Sequence, residues 1–456
     1  MQPPFDCDST HSEISKQNDK WKSIEWQITK LEKFSIDLPP TVYPPREDTD
    51  LLAKCIGPGR GRRLLEIGCG SGALSMLAAR RGWVVEACDI NPLAVACTRG
   101  NMAKNGLSAE VREGGPGPSE DFSNWHGNNR FDLIIWNLPY LRHEQGPTLG
   151  PLEDAALIDT DSIGLAIRLL FKIENTDILN SQGRIMLVHN ESEKMLEWRK
   201  MGWATRCIDE LEFQDGEKIN VTCIWRPFES NHPVLLEKCE STNTELLNLQ
   251  SPIGSSLVTG NQTAGKGRRG RTWFDEEESF AGSWVVDYSS PGKAQLAAGL
   301  AAIQSIEALG GVAMLKWPND ILIKRRKAIG ILAESRTKSS QTRTVIGLGA
   351  NLKCSVESKD YERSSLDRVI PKIDFKIWHK VIHASIASWF ERIEVGNLPD
   401  PHDESLTRII ECGIPFYRDS QWRVNSLNEQ SELVLENHIE TVVVQDGEEI
   451  KWFSES

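Results

Sequence analysis

The sequence predicts an α/β Rossmann-like domain with a mostly parallel sheet, then an α+β domain, and finally a small all-β module. Three observations carry that prediction. The stretch RLLEIGCGSGALSMLAARRG reads as an apolar strand (Leu64–Ile67), a glycine turn and a one-sided helix (Ala73–Arg80), and a second strand, Trp83–Ala87, ends at Asp89. After the short, kinked PFESNHP the pattern restarts with a new strand, a capped helix and strands that carry glycine at their centres. From about residue 411 it changes to short strands: WRVNSL, SELVLEN and HIETVVVQDGEEIKWF.

The composition bounds what the chain can be. Its 456 residues exceed what one core organises, and at roughly 150 residues per domain two or three domains are expected. Apolar residues make up 39% and charged residues 26%, an ordinary globular balance, and no run approaches the roughly 18 apolar residues of a membrane span. The start MQPPFDCDST lacks a signal peptide's basic end and apolar core, so a cytoplasmic location is expected. Ten cysteines without a Cys-x-x-Cys pair read as small buried hydrophobes of a reducing compartment, not as a metal site. A net charge of −13 argues against holding nucleic acid by the overall field.

Residues 1–36 read as a polar, irregular extension with Trp21 and Trp26 as its large apolar anchors, and residues 37–228 as the first domain. In VYPPREDT, Pro44 and Pro45 fix an extended entry, and Glu47 to Thr49 supply N-cap chemistry to a helix carrying Leu51, Leu52 and Ile56. Gly68, Gly70 and Gly72 form the tight turn, Asp89 is placed to accept ribose hydroxyls over it, and Pro92 starts the next helix. FDLIIWNLPY then delivers Asn137-Leu138-Pro139-Tyr140 to the C-terminal edge of the sheet, where open α/β sheets bind ligands. There the Asn137 oxygen and the Leu138 carbonyl can accept hydrogens of a planar nitrogen while Tyr140 stacks on it. Gln182-Gly183 marks a turn, and Arg184–His189 and Val221–Trp225 read as later strands.

The second domain, residues 233–410, is organised around GKGRRGRTW, Gly265–Trp273, with three glycines and four cations in nine residues. Like charges this dense repel one another, so the loop suits an arriving anion: glycine amides reach phosphate oxygens and guanidinium forks pair with carboxylate or phosphate. Taken alone it reads equally well as a basic surface loop. Ser241-Thr242-Asn243 caps a helix, KWPNDIL begins at Lys316, and KAIGILAE and GLGANL are strands with central glycines. A long amphipathic helix places Ile377, Val381, Ile386, Trp389 and Ile393 toward the core, with His379 and His383 at the surface. In the module of residues 411–456, read as SH3-like, Asp446-Gly447 is a hairpin-turn signal.

These strings carry two resemblances. EIGCGSG, Asp89 and NLPY resemble class I S-adenosylmethionine-dependent methyltransferases, and VYPPREDT and DINPLAV are similar to the HemK-like subgroup that methylates a glutamine amide of peptide-chain release factors. That likeness implies S-adenosylmethionine held by Thr49, Glu66, Gly68, Gly70, Gly72, Asp89 and Asn137, and a target nitrogen held by Asn137, Pro139 and Tyr140. Leu138 stands where the subgroup usually has proline, and NLPY is also similar to ribosomal-RNA adenine dimethyltransferases. A nucleic-acid adenine methyltransferase and a non-catalytic binding module therefore remain alternatives.

STN, QTAGKGRRGRTW, KWPND, KAIGILAE and GLGANL, in that order, resemble the biotin protein ligase catalytic domain. This implies biotin, ATP and Mg²⁺ as ligands and transfer through biotinyl-adenylate to a lysine of a biotin carboxyl carrier protein domain. Arg268 and Lys327 would be catalytic. Ser241, Thr242, Asn243, Gln262, Gly265, Lys266, Gly267, Arg269, Gly270, Arg271, Trp273, Lys316, Trp317, Asn319, Asp320, Gly330 and Asn351 would bind biotin or ATP, with Asp320 near the metal. Lys266 replaces a usual arginine, and the acidic run Asp275–Glu278 replaces a usual Ser-Pro turn. Ligases that also repress transcription carry an N-terminal DNA-binding module, and here a methyltransferase-like segment stands at that end, so no operator binding is expected.

Overall fold

Two runs of strands build two separate sheets. The computed structural model describes residues 21–117, 125–139, 159, 161, 163–190, 194–249, 251–273, 278–288, 290–338, 341–354 and 363–452. Its compact units are Met1–Met195 with Arg206–Arg226, and Leu196–Thr205 with Pro227–Ser456.

The first unit opens with a hairpin, β1 (Lys22–Thr29) and β2 (Glu32–Leu38), antiparallel with Trp26 opposite Phe34. This corrects the reading of residues up to 36 as irregular. Polar residues outnumber apolar ones there, yet Trp26, Phe34, Ile36 and Leu38 fall on one buried face, and a strand with period two needs only that face apolar. Trp26 also donates its indole N–H to Asp50 Oδ1 at 2.7 Å, on helix α1 (Glu47–Cys55).

Strand β3 (Arg63–Ile67) leads through the glycine turn to α2 (Ala73–Arg80), and β4 (Val84–Asp89) leads to α3 (Pro92–Lys104). β5 (Glu110–Glu113), β6 (Phe131–Asn137), α4 (Leu165–Glu174), β7 (Leu179–His189), α5 (Lys194–Lys200), β8 (Ala204–Glu212) and β9 (Lys218–Trp225) follow. The sheet order is β5-β4-β3-β6-β7-β9-β8. Pairs from β5 through β7 are parallel, and β7 with β9 is antiparallel. Gln182-Gly183, expected as a turn, lies inside β7, where pairing with β6 shifts register. The parallel order brings the ends of β3, β4 and β6 to one edge, with a switch point beside β3.

The second sheet uses β10 (Val234–Leu236), β11 (Ser256–Thr259), β12 (Glu278–Val286), β13 (Met314–Lys316), β14 (Asp320–Ile323), β15 (Arg326–Lys338) and β16 (Gln341–Lys353). Its order is β10-β11-β12-β16-β15-β14-β13, antiparallel except for β10 with β11. Helix α6 (Thr242–Leu249) packs on β12, α7 (Pro291–Ala308) packs on β15, and α8 (Phe375–Phe390) packs on α7. After α9 (His402–Ile410) come β17 (Phe416–Tyr417), β18 (Ser420–Gln421), β19 (Arg423–Leu427), β20 (Leu433–Glu436) and β21 (Thr441–Val444), in small antiparallel sheets. Asp446-Gly447 forms no hairpin. It opens a single 3-10 turn, Gly447–Glu449, because the Asp446 side chain accepts from Glu448 N and caps it. No helix among the described residues is long and apolar enough to cross a membrane.

The segment Leu196–Thr205, which the sequence assigned to the first domain, belongs to the second unit, and a buried cation helps to tie it there. Arg199 is 6% exposed; it donates from Nη1 to Gln304 Oε1 at 2.6 Å and from Nε to Thr205 Oγ1 at 2.8 Å. Trp389 Nε1 shares the Gln304 oxygen at 2.9 Å. Arg199→Ala strips that network of a charged donor and is expected to destabilise the second unit by about 2 kcal/mol, read as a lower midpoint in denaturant unfolding. An unchanged midpoint would refute the role given to Arg199.

Helix α8 also departs from its sequence reading. Val381, Ile386, Trp389 and Ile393 are buried as expected, but Ile377 is 39% exposed and Trp378 and His383 are buried as well, so the buried face of α8 is wider than the apolar stripe. His383 Nδ1 accepts the Trp284 indole N–H at 3.0 Å, and burial pushes its pKa down to about 3. A depressed histidine contributes stability that is present above its unfolded value near 6.5 and is lost as pH falls toward 3. The second unit should therefore lose up to about 1.4 kcal/mol per pH unit on acidification across that window. Thermal melts from pH 7 to 4 should show that slope, and His383→Gln should flatten it.

Candidate functional sites

In the first unit the turn after β3 is forced by glycine. Gly68 and Gly72 have φ of 66° and 78°, and a Cβ on Gly72 would stand 2.9 Å from Thr98 Cγ2 of α3. The turn is tied to the end of β4: Gly70 N donates to Asp89 Oδ2 and Asn91 N to Asp89 Oδ1, both at 2.9 Å. Burial raises the Asp89 pKa, and those backbone donors oppose the rise. Glu66 turns beneath the loop, where Ser75 Oγ on α2 donates to it, and burial pushes its pKa up to about 8. Its carboxyl thus braces the turn on α2.

Asn137 ends β6. Its Nδ2 donates to Asp48 Oδ2 at 2.9 Å, and its Oδ1 is buried without a protein partner. That pairing fixes which end of the amide faces outward: an orphaned acceptor suited to a substrate N–H. Thr49 commits its hydroxyl to α1, donating to Asp48 Oδ1 at 3.2 Å and accepting from Arg46 N at 3.4 Å. Leu138 N donates to Val188 O at 3.2 Å, Pro139 is buried, and Tyr140 lies outside the described residues. Asp48 is the residue the sequence reading missed. It stood inside VYPPREDT, where it reads as a helix cap, and only the fold brings it to β6. The glycine cradle and Asp89 fit S-adenosylmethionine, with the orphaned Asn137 oxygen at the same sheet edge.

In the second unit one cleft gathers the expected residues, apart from Gly265, Gly270 and Asn351. Asn351 is buried off the cleft, with its Nδ2 donating to Ser364 O at 3.0 Å. The floor is made of small residues in register: Ala281 on β12 faces Gly349 on β16, which faces Gly330 on β15. The Trp273 indole lies on that row, where Cβ atoms on Gly349 and Gly330 would stand 2.6 and 2.8 Å from it, and its Nε1 is buried without a partner. Beside the floor, Thr242 N donates to Gln262 Oε1 at 2.9 Å, and Ser283 Oγ bonds Thr242 Oγ1 at 2.7 Å and Asn243 Oδ1 at 2.6 Å. Asn243 Nδ2 donates to Glu334 Oε2 at 2.7 Å.

The loop closes on itself: Trp273 N donates to Gly265 O at 2.8 Å and Gly267 N to Arg271 O at 2.7 Å. Arg268 Nη1 donates to Asn319 Oδ1 at 3.5 Å, and burial and the neighbouring Arg269 lower its pKa. Lys327 Nζ lies 2.7 Å from Asp320 Oδ1, an ion pair without a well-directed hydrogen bond, and 5.6 Å above the Trp273 ring. Lys266, Lys316 and Trp317 line the same cleft. Asp320, expected near Mg²⁺, thus faces a lysine, and among the described residues no group of three or more His, Cys, Asp or Glu could hold a metal. Sequence reasoning also missed Ser283, Glu334, Asp446 and Glu448, whose types are common and whose places only the sheet register and the C-terminal module reveal.

Residues 46–149 match the methyltransferase small domain and residues 235–351 match the biotin/lipoate A/B protein ligase family. The first half of the chain belongs to the methyltransferase family, and its second half is similar to the ligase family. It is 36% identical over 204 residues to a Methanocaldococcus jannaschii protein named "Putative protein N5-glutamine methyltransferase", covering 44% of this chain and 99% of that relative. Against the bifunctional ligase/repressor BirA of Bacillus subtilis it is 35% identical over 127 residues, 26% of this chain. Against the biotin–[acetyl-CoA-carboxylase] ligase of Paracoccus denitrificans it is 38% identical over 130 residues, also 26% of this chain. The chain spans only 38% and 53% of those two relatives. Among solved structures, biotin protein ligase from Aquifex aeolicus in complex with biotin and ATP matches at 20% identity and a TM-score of 0.40, over 48% of this chain and 97% of that one. The mostly parallel sheet of the first unit and the family matches in the two halves are those the motifs predicted.

Proposed function

We propose that the chain is a bifunctional enzyme: the ligase-family unit joins biotin to a carrier-protein lysine through biotinyl-adenylate, and the methyltransferase-family unit methylates an amide nitrogen, a protein glutamine. The observation that carries the first activity is the convergence of Arg268, Lys316 and Lys327 on one glycine-floored cleft. Activating a carboxylate with ATP brings two anions together, and fixed cations in a partly desolvated cleft offset their repulsion. Lys327 and Arg268 are placed to hold the carboxylate and α-phosphate oxygens as charge builds, and Thr242, Asn243 and Gln262 supply the polar contacts that orient biotin. Magnesium would enter on the phosphates of ATP.

In the first unit Asp89 accepts hydroxyl hydrogens of a ribose held over the glycine turn, and S-adenosylmethionine, when bound, supplies the methyl group. Asn137 Oδ1 accepts a target N–H, and Asp48 keeps that oxygen outward. The relative named for N5-glutamine methylation and the net charge of −13 support a protein substrate; a peptide-chain release factor is the acceptor this reading favours. Operator binding is not part of it. The test is incubation of the full chain with labelled S-adenosylmethionine, biotin, ATP and host extract, followed by mass spectrometry. The reading expects biotin on a carrier lysine and methyl on a glutamine. Methyl on nucleic acid, or biotin on no protein, would refute the corresponding half.

A further inference from the structure

The C-terminal module does more than cover the second unit. From its 3-10 turn, Asp446 pairs with Arg269 and Glu448 pairs with Arg271, both cations of the Gly265–Trp273 loop, and all four line the cleft. The two pairs differ in environment. Glu448 and Arg271 are 54% and 60% exposed, so solvent screens them and the pair holds little. Arg269 is as open, at 58%, so the difference lies in the carboxylate: Asp446 is only 16% exposed, and its other oxygen is fixed by Glu448 N at 3.2 Å.

The turn itself is seated. A Cβ on Gly447 would lie 2.6 Å from Pro318 Cδ, and Trp317 Nε1 donates to Ser431 O at 3.0 Å. The turn that carries the carboxylate is thus packed against Trp317 and Pro318. On the other side, Arg269 is a non-glycine residue at φ 56°, a left-handed conformation held at a cost by its surroundings. A fixed carboxylate thus stands in a cleft that also gathers Lys266, Arg268, Lys316 and Lys327, and it occupies one of the arginines that would meet an anion.

We propose that Asp446 is a positioning residue for the arginine loop, a built-in counter-ion to Arg269 that incoming phosphate displaces, so that the C-terminal module restrains the loop and weakens nucleotide binding. The inference rests on the proposed adenylate chemistry for its ligand but not for the restraint itself. Asp446→Asn is the sharp variant: it keeps the oxygen that caps the turn and removes the charge. With the full chain, Asp446→Asn should lower the half-saturating ATP concentration by about fivefold in calorimetry, since a repelling charge is gone. Without added ATP or biotin it should also speed tryptic cleavage at Arg268–Arg271 several-fold, and Asp446→Glu should restore both values. An ATP affinity that falls or stays unchanged in Asp446→Asn, in a chain that does bind ATP, would overturn the proposal. If no variant binds ATP, the ligase reading fails and proteolysis alone decides: faster loop cleavage in Asp446→Asn supports the restraint, and equal rates overturn it.

Discussion

Lys327→Ala should slow biotinyl-adenylate formation by on the order of 10²-fold or more, as the loss of preorganised charge at a reacting centre does. Two effects act together. The ammonium that would meet the reacting oxygens is gone, and Asp320, 2.7 Å away, loses its counter-ion and turns a carboxylate toward the arriving phosphates. Arg268→Ala should cost a similar factor, because this half-buried guanidinium is anchored to Asn319 rather than to a carboxylate. Lys327→Arg keeps the charge but spreads it over a planar fork, and only partial rescue is expected. Pyrophosphate release measured in a single turnover reads all three. Normal release in Lys327→Ala and Arg268→Ala would remove both from the catalytic account.

Asn137→Ala should lower methyl transfer by on the order of 10²-fold while leaving S-adenosylmethionine binding nearly intact, since it removes an orienting contact at the acceptor nitrogen. The donor cradle depends on Gly68, Gly72 and Asp89, whose hydrogen bonds do not pass through Asn137. Asp48→Ala should lose a smaller factor, because the amide remains but is no longer held with its oxygen outward. Transfer to a glutamine-containing substrate, measured beside calorimetry of the donor, separates the two effects. A loss of donor binding equal to the loss of transfer would show that Asn137 holds the donor instead.

The two sites were legible in the sequence to different depths. Strand, glycine turn, helix and acid mark the donor cradle because each backbone demand there admits few residue types, as at Gly72 packed against Thr98. The cations of Gly265–Trp273 were legible only in company: alone the stretch reads equally well as a basic surface loop, and Ser241-Thr242-Asn243, KWPND and KAIGILAE beside it decide for an anion. What escaped were partners supplied across the fold by common residues. Asp48 reads as a helix cap until β6 is set beside α1, and Asp446 reads as a turn residue until the module is seated on Trp317 and Pro318. The hairpin β1–β2 escaped because one apolar face among polar residues is a weak signal, and the buried His383 because an apolar stripe does not reveal how much of the helix beside it is covered.

The central claim, that the glycine-floored cleft activates a biotin carboxylate with ATP, is tested most directly by ATP–pyrophosphate exchange on the full chain. Exchange that requires biotin and disappears in Lys327→Ala is the predicted result. Exchange supported by lipoate in place of biotin, or none with biotin while ATP binds, would contradict it.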